Sequence, residues 1–391
     1  METETNTEVV NPLVTIATVQ EIIQHPNADR LVLVSPYADG ISYAIIASGT
    51  IEIGTKCLWF DAVNEPMVDV SIPEFSFLAK DAKNGYARIR AKKLRGVVSR
   101  GLLVPARQEW LDAVDAGSDL VELLNVKKYE APGHGLGGPG GSFEAGCIGR
   151  GPDSALPTSK YDVDSIYKNI RLIPLGVEVV CTEKVHGANG SFGWAAFQGE
   201  MQFHVRSRNM WKMREETRTK PHPENEGEEI SYTVGGGMWW DVAIKYNLEE
   251  KLRSRPGFFL YGELYGQVQD LKYGFDSHEF IAFDCWDSNT RRWLSWKELV
   301  EFCNEIGVPH VPVIATMNWN PEVTAHVRED DSTVKLSFKL TEEVIALSNG
   351  KTTINNAKHC REGIVIRYDH ERGNLYDRVI LKLVGNDYLT R

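Results

Sequence analysis

Near the middle of the chain one lysine stands in a run able to do covalent chemistry: Thr182-Glu183-Lys184-Val185-His186-Gly187-Ala188-Asn189. A lysine amine attacks phosphorus only when neutral, and at an ordinary pKa of about 10.4 it is almost wholly charged at neutral pH. A site that uses Lys184 as a nucleophile must therefore depress that pKa by burial or by nearby positive charge. Downstream, in order, lie the groups such a reaction needs. The cations Arg208 and Lys382 answer the charge that develops on phosphate oxygens. Glu362 and Glu263 offer hard oxygens to a divalent ion held through its waters. Phe283, next to Asp284, offers an aromatic face of the kind on which bases stack. A Lys-x-x-Gly run alone carries almost no information; the ordered series carries the reading.

Strands must hold these side chains. Residues 201–206 alternate in the manner of a strand and lead into Ser207-Arg208-Asn209, while residues 259–266 form a β-rich segment ending in a turn. Residues 280–284, 361–367 and 379–384 are further strand patterns. Glu263 lies between Gly262 and Gly266, a spacing that predicts close approach of backbone and ligand. His186 is placed either to contact metal-bound water or phosphate, or to be a hydrogen-bonded structural residue. Between these segments the sequence predicts a charged loop over 219–237, then an amphipathic helix over 239–252 with Trp240, Ala243, Ile244 and Leu248 in the core. A polar stretch over 318–352 receives no function.

As a set, the series resembles motifs I, Ia, III, IIIa, IV and V of the covalent nucleotidyltransferases, the superfamily of ATP-dependent DNA ligases, RNA ligases and mRNA capping enzymes. DNA ligases and capping enzymes usually carry Asp two residues after the lysine, whereas Lys184-x-His186-Gly187 followed by Asn189 resembles the nick-sealing RNA ligases. The stretch from Gly262 through Gln269 to Tyr273-Gly274 is similar to the RNA ligase continuation of motif III. The resemblance covers roughly residues 160–391 and implies an ATP-dependent RNA ligase working in three steps. Lys184 attacks the α-phosphate of ATP and expels pyrophosphate, AMP passes to an RNA 5′-phosphate, and a 3′-OH attacks with release of AMP. It implies Lys184, Lys382 and Arg208 as the catalytic set, with Arg208 on the RNA 5′-phosphate or the AMP phosphate. It implies ATP contacts at Glu183, Lys184, Gly187, Asn189, Arg208, Glu263, Phe283, Glu362 and Lys382. Mg²⁺ or Mn²⁺ is implied near Glu362, Glu263 and His186, through water. One departure stands out: related enzymes often carry two lysines at alternate positions in motif V, and here the position two before Lys382 is Ile380. Either Arg378 substitutes or one phosphate contact is absent. The rival readings are a DNA nick ligase, a capping guanylyltransferase, and an RNA- or tRNA-binding protein with an inactive nucleotidyltransferase domain.

The first 125 residues make a separate statement. Residues 13–23 are strand-like and lead into the turn His25-Pro26-Asn27-Ala28-Asp29-Arg30, followed by the strand residues 32–34. Farther on, Arg88, Arg90, Lys92, Lys93, Arg95 and Arg100 are packed beside strand residues. The two stretches resemble the first and last signatures of the tRNA-binding type of OB fold. That likeness implies an N-terminal OB-type β-barrel with these six cations as a candidate RNA surface, the bland alternative being a cation-guarded edge strand. The expected class is α+β: an OB domain over 1–125, a Gly-rich linker over 126–159, and over 160–391 a ligase-type nucleotidyltransferase domain of antiparallel sheets flanked by helices, unrelated to ATP-grasp. With nine residues after Lys382 in the sequence, the C-terminal OB domain typical of DNA ligases and capping enzymes is not expected. The order therefore resembles the RNA ligase branch with its OB domain first.

Composition bounds the rest. A chain of 391 residues suggests two or three domains, and 42% hydrophobic with 25% charged residues is ordinary for a soluble protein. With a net charge of −11, any RNA path must be a local basic stripe whose binding weakens with salt. No apolar run approaches the length of a bilayer span and the N-terminus lacks the basic start of a signal peptide, so an intracellular, cytoplasmic enzyme is expected. The six cysteines show no Cys-x-x-Cys pair, and the Gly133–Gly151 stretch lacks the Gly-Lys-Ser/Thr of a phosphate loop. RNA bearing 5′-phosphate and 3′-OH ends, nicked in duplex or templated, is the expected partner, with a monomer, no membrane and no obligatory protein clamp.

Overall fold

A computed structural model describes residues 13–391 except 38–39, 41, 130–146, 151–160, 162, 198, 209, 222–228, 328–333 and 370–377. The architecture is mixed α+β, built mostly from antiparallel sheets with helices packed against them. Two sheets carry the C-terminal half. The larger has seven strands in the order Cys147–Arg150, Met210–Lys212, Glu200–Ser207, Ala188–Phe197, Phe258–Gly266, His278–Asp287 and Arg292–Trp293. The second has five, in the order Asp164–Ser165, Arg378–Val384, Gly363–Asp369, Glu178–Lys184 and Val313–Asn318.

Each sheet buries one side against helices. Phe192, Leu260, Leu264 and Phe280 of the larger sheet pack on Trp239, Val242, Leu252, Leu299 and Phe302. The helix Trp296–Ile306 begins with a reciprocal capping box between Ser295 and Glu298 and stops at Gly307, in left-handed conformation with φ 59°. Ile364, Ile366, Leu381 and Leu383 of the five-stranded sheet pack on Ile166, Ile170 and Val344. Period-two alternation in these strands leaves Val365 and Lys382, cross-strand partners, on the other face.

Three expectations change. The helix expected over 239–252 is two short helices, Met238–Lys245 and Leu248–Arg253, broken at Asn247, which sits in the left-handed region with φ 51°. Ile244 is 65% exposed, while Trp240, Ala243 and Leu248 are buried as expected. The loop expected over 219–237 contains instead an antiparallel hairpin of Glu216–Pro221 and Glu229–Val234. The unassigned stretch over 318–352 holds a second hairpin, Glu322–Val327 with Val334–Lys339, and the helix Glu342–Ser348.

The N-terminal module consists of three small antiparallel sheets and a hairpin. Lys56–Asp61 pairs with Thr15–Thr18 and Gly101–Pro105, Leu31–Ser35 with Glu21–Gln24 and Ala44–Ala47, and Pro66–Asp69 with Tyr86–Arg88 and Lys127–Lys128. The hairpin is Lys92–Leu94 with Val97–Ser99. Among the described residues these ladders remain separate sheets instead of one closed barrel, around cores centred on Leu58, Phe60, Val68 and Phe75, and on Val34, Cys57 and Trp59. Of the segment expected as linker, Lys127–Lys128 belongs to this module and Cys147–Arg150 to the edge of the seven-stranded sheet; most of the Gly-rich stretch lies outside the described residues. Among the described residues no helix is long and apolar enough to cross a membrane.

Candidate active site

Register brings the lysine and its first carboxylate together. Lys184 ends the strand Glu178–Lys184 opposite Gly363, and Glu362 immediately precedes Gly363 on the neighbouring strand. The Lys184 Nζ accordingly donates to Glu362 Oε1 at 2.6 Å. The run that follows crosses to the larger sheet, and Gly187 makes the crossing possible: a Cβ there would lie 1.9 Å from the Leu264 carbonyl oxygen and 3.0 Å from the Glu263 side chain. Asn189 then pairs directly with Glu263. Val365 and Lys382 complete the wall opposite, as partners across adjacent strands.

A cavity of about 310 Å³ opens there, lined by Tyr161, Glu183, Lys184, Gly187, Asn189, Arg208, Glu263, Phe283, Arg367, Ile380 and Lys382 among others. Every residue expected to contact the nucleotide lines it except Glu362. Glu362 lines a second cavity, of about 660 Å³, together with His186, Arg88, Arg90, Asp270 and Tyr388. Lys184 and Lys382 belong to both, so the amine stands in the partition between the two spaces.

The electrostatics follow from one lysine meeting two carboxylates. Burial pulls the Lys184 amine down, but Glu362 and Glu263 outweigh it and hold the amine above its usual value. Glu362 resists burial through Lys184 and His186 and is drawn down to about 2. Glu263 lacks an equal partner: burial raises it, Lys184 opposes, Glu362 adds repulsion, and the carboxyl is pushed up to about 8. One cation thus compensates one carboxylate, and Glu263 carries a proton near neutrality. The sequence reading required a depressed Lys184; the protein's own groups do the reverse.

Other expected residues have defined surroundings. The Glu183 carboxylate accepts from the Thr353 backbone N at 2.8 Å and the Thr353 hydroxyl at 2.7 Å, and also from the Thr352 hydroxyl, so its side chain ties the nucleophile's strand to that segment. His186 is hydrogen-bonded at both ring nitrogens, Nε2 to Asp270 at 2.8 Å and Nδ1 to the Tyr388 hydroxyl at 3.0 Å, with Glu362 Oε2 3.5 Å away. Its backbone N donates to the Tyr273 hydroxyl at 2.7 Å. Arg391 bonds Asp270 at 2.9 Å and covers the Tyr388 ring at 4.1 Å. Nothing in the spacing of these partners pointed to them.

At the far end of the cavity the Phe283 ring lies 4.7 Å from that of Tyr161, tilted by 35°. Tyr161 was not among the expected contacts; only its place just before the strand Asp164–Ser165, alongside Lys382, could have drawn notice. Asp284, fully buried, is held by Arg367 at 3.0 Å and by Arg378. Arg378, bonded to Asp284, also stacks on Trp293 at 4.1 Å, while Ile380 lines the cavity. Gly262 and Gly266 serve strand packing: a Cβ at either would strike Phe280 and Ile281 or the Ser277 carbonyl, at 2.3 to 2.4 Å.

The N-terminal cations divide. Arg90 and Lys93 are exposed. Lys92 lies 3.5 Å from Asp81, and Arg88 bonds Glu65 at 2.6 Å while covering Tyr129 at 3.6 Å. Arg95, with φ 45°, turns the hairpin and is tied to Asn27. Arg100 departs from the expectation of an RNA surface. It is 1% exposed, and its guanidinium donates to the Val384 carbonyl at 3.2 Å, to Asn386 Oδ1 at 3.1 Å and to the Tyr167 hydroxyl. Alternation put it on the face that the C-terminal half covers.

Comparison with known proteins bears on the whole arrangement. The structure is similar to that of a Naegleria gruberi RNA ligase mutant with ATP and Mn, with a TM-score of 0.69 and 21% identity, covering 97% of this chain and 98% of that one. It is equally similar to Naegleria gruberi RNA ligase with PPi, at a TM-score of 0.70 and 22% identity, covering 97% and 98%. A further mutant of that enzyme, with AMP and Mn, matches at 0.69 and 21%, covering 96% and 98%. No curated protein matches the chain. The family model described as RNA ligase matches residues 177–384, which hold every motif from the nucleophile's strand to Lys382, and with just over half of its length matched the chain belongs to the RNA ligase family.

Proposed function

We propose that this RNA ligase uses ATP to join RNA 3′-OH and 5′-phosphate ends through a lysyl-AMP on Lys184 and an AMP-capped RNA 5′ end, acting on nicked duplex or templated RNA. The observation that carries the reading is the meeting of Lys184, Glu263, Glu362 and Lys382, from four different strands or strand ends, around one partition. The ATP base stacks on Phe283, with Tyr161 behind it, and the α-phosphate lies between Lys184 and Lys382. Lys382 stabilises the charge that develops as pyrophosphate leaves, and Arg208 at the exposed rim binds the phosphate of AMP or of the incoming RNA end.

Two hard carboxylates and a cavity with room for water suit a divalent ion that keeps several waters, although among the described residues no three His, Cys, Asp or Glu side chains converge as a closed cage. Glu362 and Glu263 would hold Mg²⁺ or Mn²⁺, whose charge beside the amine supplies the pKa depression that the protein's own groups withhold. His186, fixed at both nitrogens, positions Glu362 from its far side. The N-terminal module is read as OB-type from its two sequence signatures, the one at 25–31 and the cation-rich stretch at 88–103.

Incubation with α-labelled ATP and Mg²⁺ or Mn²⁺ should label the protein, and Lys184→Ala should abolish the label. No label, or label surviving that substitution, refutes the mechanism. Efficient sealing when the strand supplying the 3′-OH is all DNA would reassign the substrate to DNA nicks.

A further inference from the structure

The residues on either side of the nucleophile are held from one place. The loop 351–360 closes on itself through a bridge between Lys351 and Cys360 and through the Thr352 backbone N, which donates to the His359 carbonyl at 3.1 Å. We propose that this loop is the frame that aims the Lys184 amine at the α-phosphate, and that Tyr273, which the loop grips, is a positioning residue for lysyl-AMP formation. In that step the neutral amine forms an N–P bond to the α-phosphorus, the P–O bond to the departing pyrophosphate breaks with its electron pair, and the surplus N–H proton leaves to water. The proposal rests on the RNA ligase reading and deepens it by naming what orients the nucleophile.

The first grip is on the residue before the lysine. Glu183 is 1% exposed, and the loop fixes both of its carboxylate oxygens: the Thr352 hydroxyl donates to Oε1, and the Thr353 backbone N and hydroxyl donate to Oε2 at 2.8 and 2.7 Å. Hydrogen bonds to a buried carboxylate are strong and directional, so the strand end that carries Lys184 cannot slide without breaking three of them. Ile354 of the same loop shares a buried cluster with Val185, the residue after the lysine, and with Tyr273.

The second grip runs through Tyr273. Its hydroxyl accepts from the His186 backbone N at 2.7 Å, two residues beyond the nucleophile. Tyr273 and Gly274 are the central residues of a turn closed by the Phe275 backbone N on the Lys272 carbonyl at 3.0 Å, and both are left-handed, with φ of 52° and 73°. Glycine, asparagine and aspartate ordinarily fill such positions, and a fully buried tyrosine there is strained. A smaller residue would make the same turn with less strain, so the position serves the phenol and its reach to the His186 N–H. The loop holds the strained residue in place: Asn355 Nδ2 donates to the Tyr273 carbonyl at 3.1 Å, and the His359 ring stands edge-on to the Tyr273 ring at 4.6 Å.

The third link is the chain itself. Two residues after the bridge at Cys360 comes Glu362, whose Oε1 accepts from Lys184 Nζ at 2.6 Å. The connection is tied on its way, by the Arg361 backbone N on the Gly350 carbonyl at 2.9 Å. One loop therefore fixes the residue before the amine, the backbone after it, and the start of the strand that carries its partner carboxylate.

Single-turnover formation of lysyl-AMP from α-labelled ATP with Mg²⁺, on the full chain, tests this. Tyr273→Phe keeps the ring and deletes the acceptor of the His186 N–H. It should lower the rate at saturating ATP by about 10-fold or more, while the ATP concentration giving half the maximal rate stays within about twofold of the parent, because a misaimed nucleophile costs rate and not ground-state binding. Thr352→Val/Thr353→Val should show the same split, and Thr352→Ser/Thr353→Ser, which returns both hydroxyls, should restore the rate. Since both grips act through one loop, Tyr273→Phe combined with the valine pair should cost clearly less than the product of the separate losses. A Tyr273→Phe rate within about twofold of the parent, or a loss confined to weaker ATP binding, overturns the role of Tyr273, and fully multiplicative losses overturn the single frame. Tyr273→Phe alone decides the matter if the valine pair melts below the assay temperature. A parent that takes no label refutes the ligase mechanism, whereas a labelled parent with an unaffected Tyr273→Phe refutes the positioning role alone.

Discussion

Glu362→Gln should separate the readiness of Lys184 to react from its ability to accept AMP. The amine donates to Glu362 at 2.6 Å and is held above the ordinary lysine value by Glu362 and Glu263, against the downward pull of burial. Unit charges at that separation attract by roughly 6 kcal/mol at an effective dielectric near 20, a ceiling reduced by the cost of desolvating both ions. Half of that ceiling corresponds to about two pKa units. Glutamine keeps the shape and an acceptor oxygen, so the loss is chiefly one of charge. Glu263, whose carboxyl is pushed up to about 8, should then ionise and take over part of the pairing. The Lys184 pKa should therefore fall in Glu362→Gln and fall further in Glu362→Gln/Glu263→Gln. Competitive labelling by an amine-selective reagent across pH, without nucleotide or metal and read by peptide mass spectrometry, measures this directly. At a given pH below the pKa the amine should label about 10-fold faster in the single variant, while AMP transfer from ATP falls by at least about 100-fold. Labelling that is unchanged or slower would refute the argument that Glu362 keeps the amine protonated.

Three further outcomes follow from the geometry of the site and its surroundings. Because the folded-state Glu263 carboxyl is raised to about 8, its contribution to stability is fully present below the unfolded carboxylate range near 4.3 and is lost as pH rises towards 8. Glu263→Gln should flatten that decline by on the order of 2 to 3 kcal/mol after discounting for partial exposure, seen as a Tm less sensitive to pH between 5 and 8. Arg100→Met should lower unfolding free energy in urea by about 3 kcal/mol, since it strands the Val384 and Asn386 acceptors, yet leave the salt dependence of RNA binding unchanged. A salt slope reduced by one would return Arg100 to the RNA surface. Gly187→Ala sets a Cβ against the Leu264 carbonyl and should cut lysyl-AMP formation by roughly 100-fold through displacement of the nucleophile's loop; a rate within a few-fold of the parent would show the loop to be compliant.

The convergence of the candidate site residues was readable because most of them lie on strands. Lys184, Asn189, Glu263, Phe283 and Lys382 occupy positions whose facing is fixed by alternation, and the order of motifs supplied the pairing that alternation cannot. What escaped notice was tertiary. Asp270 and Tyr388 reach His186 from segments with no spacing relation to it, and Tyr161 gains meaning only because the short strand after it, Asp164–Ser165, runs beside Lys382. Arg100 shows the reverse limit: a run of cations beside strand residues could not say that protein covers one of them. The hairpin at 216–234 was hidden by charge, because a ribbon with little apolar surface carries no amphipathic signal. The raised Lys184 pKa was not legible either, because it depends on two carboxylates that reach the amine from other strands.

The guanidinium of Arg100 grips the end of the strand that carries Lys382, two residues beyond that lysine. A displacement of the N-terminal module would therefore be carried through one buried guanidinium into the strand that lines the cavity beside Lys184.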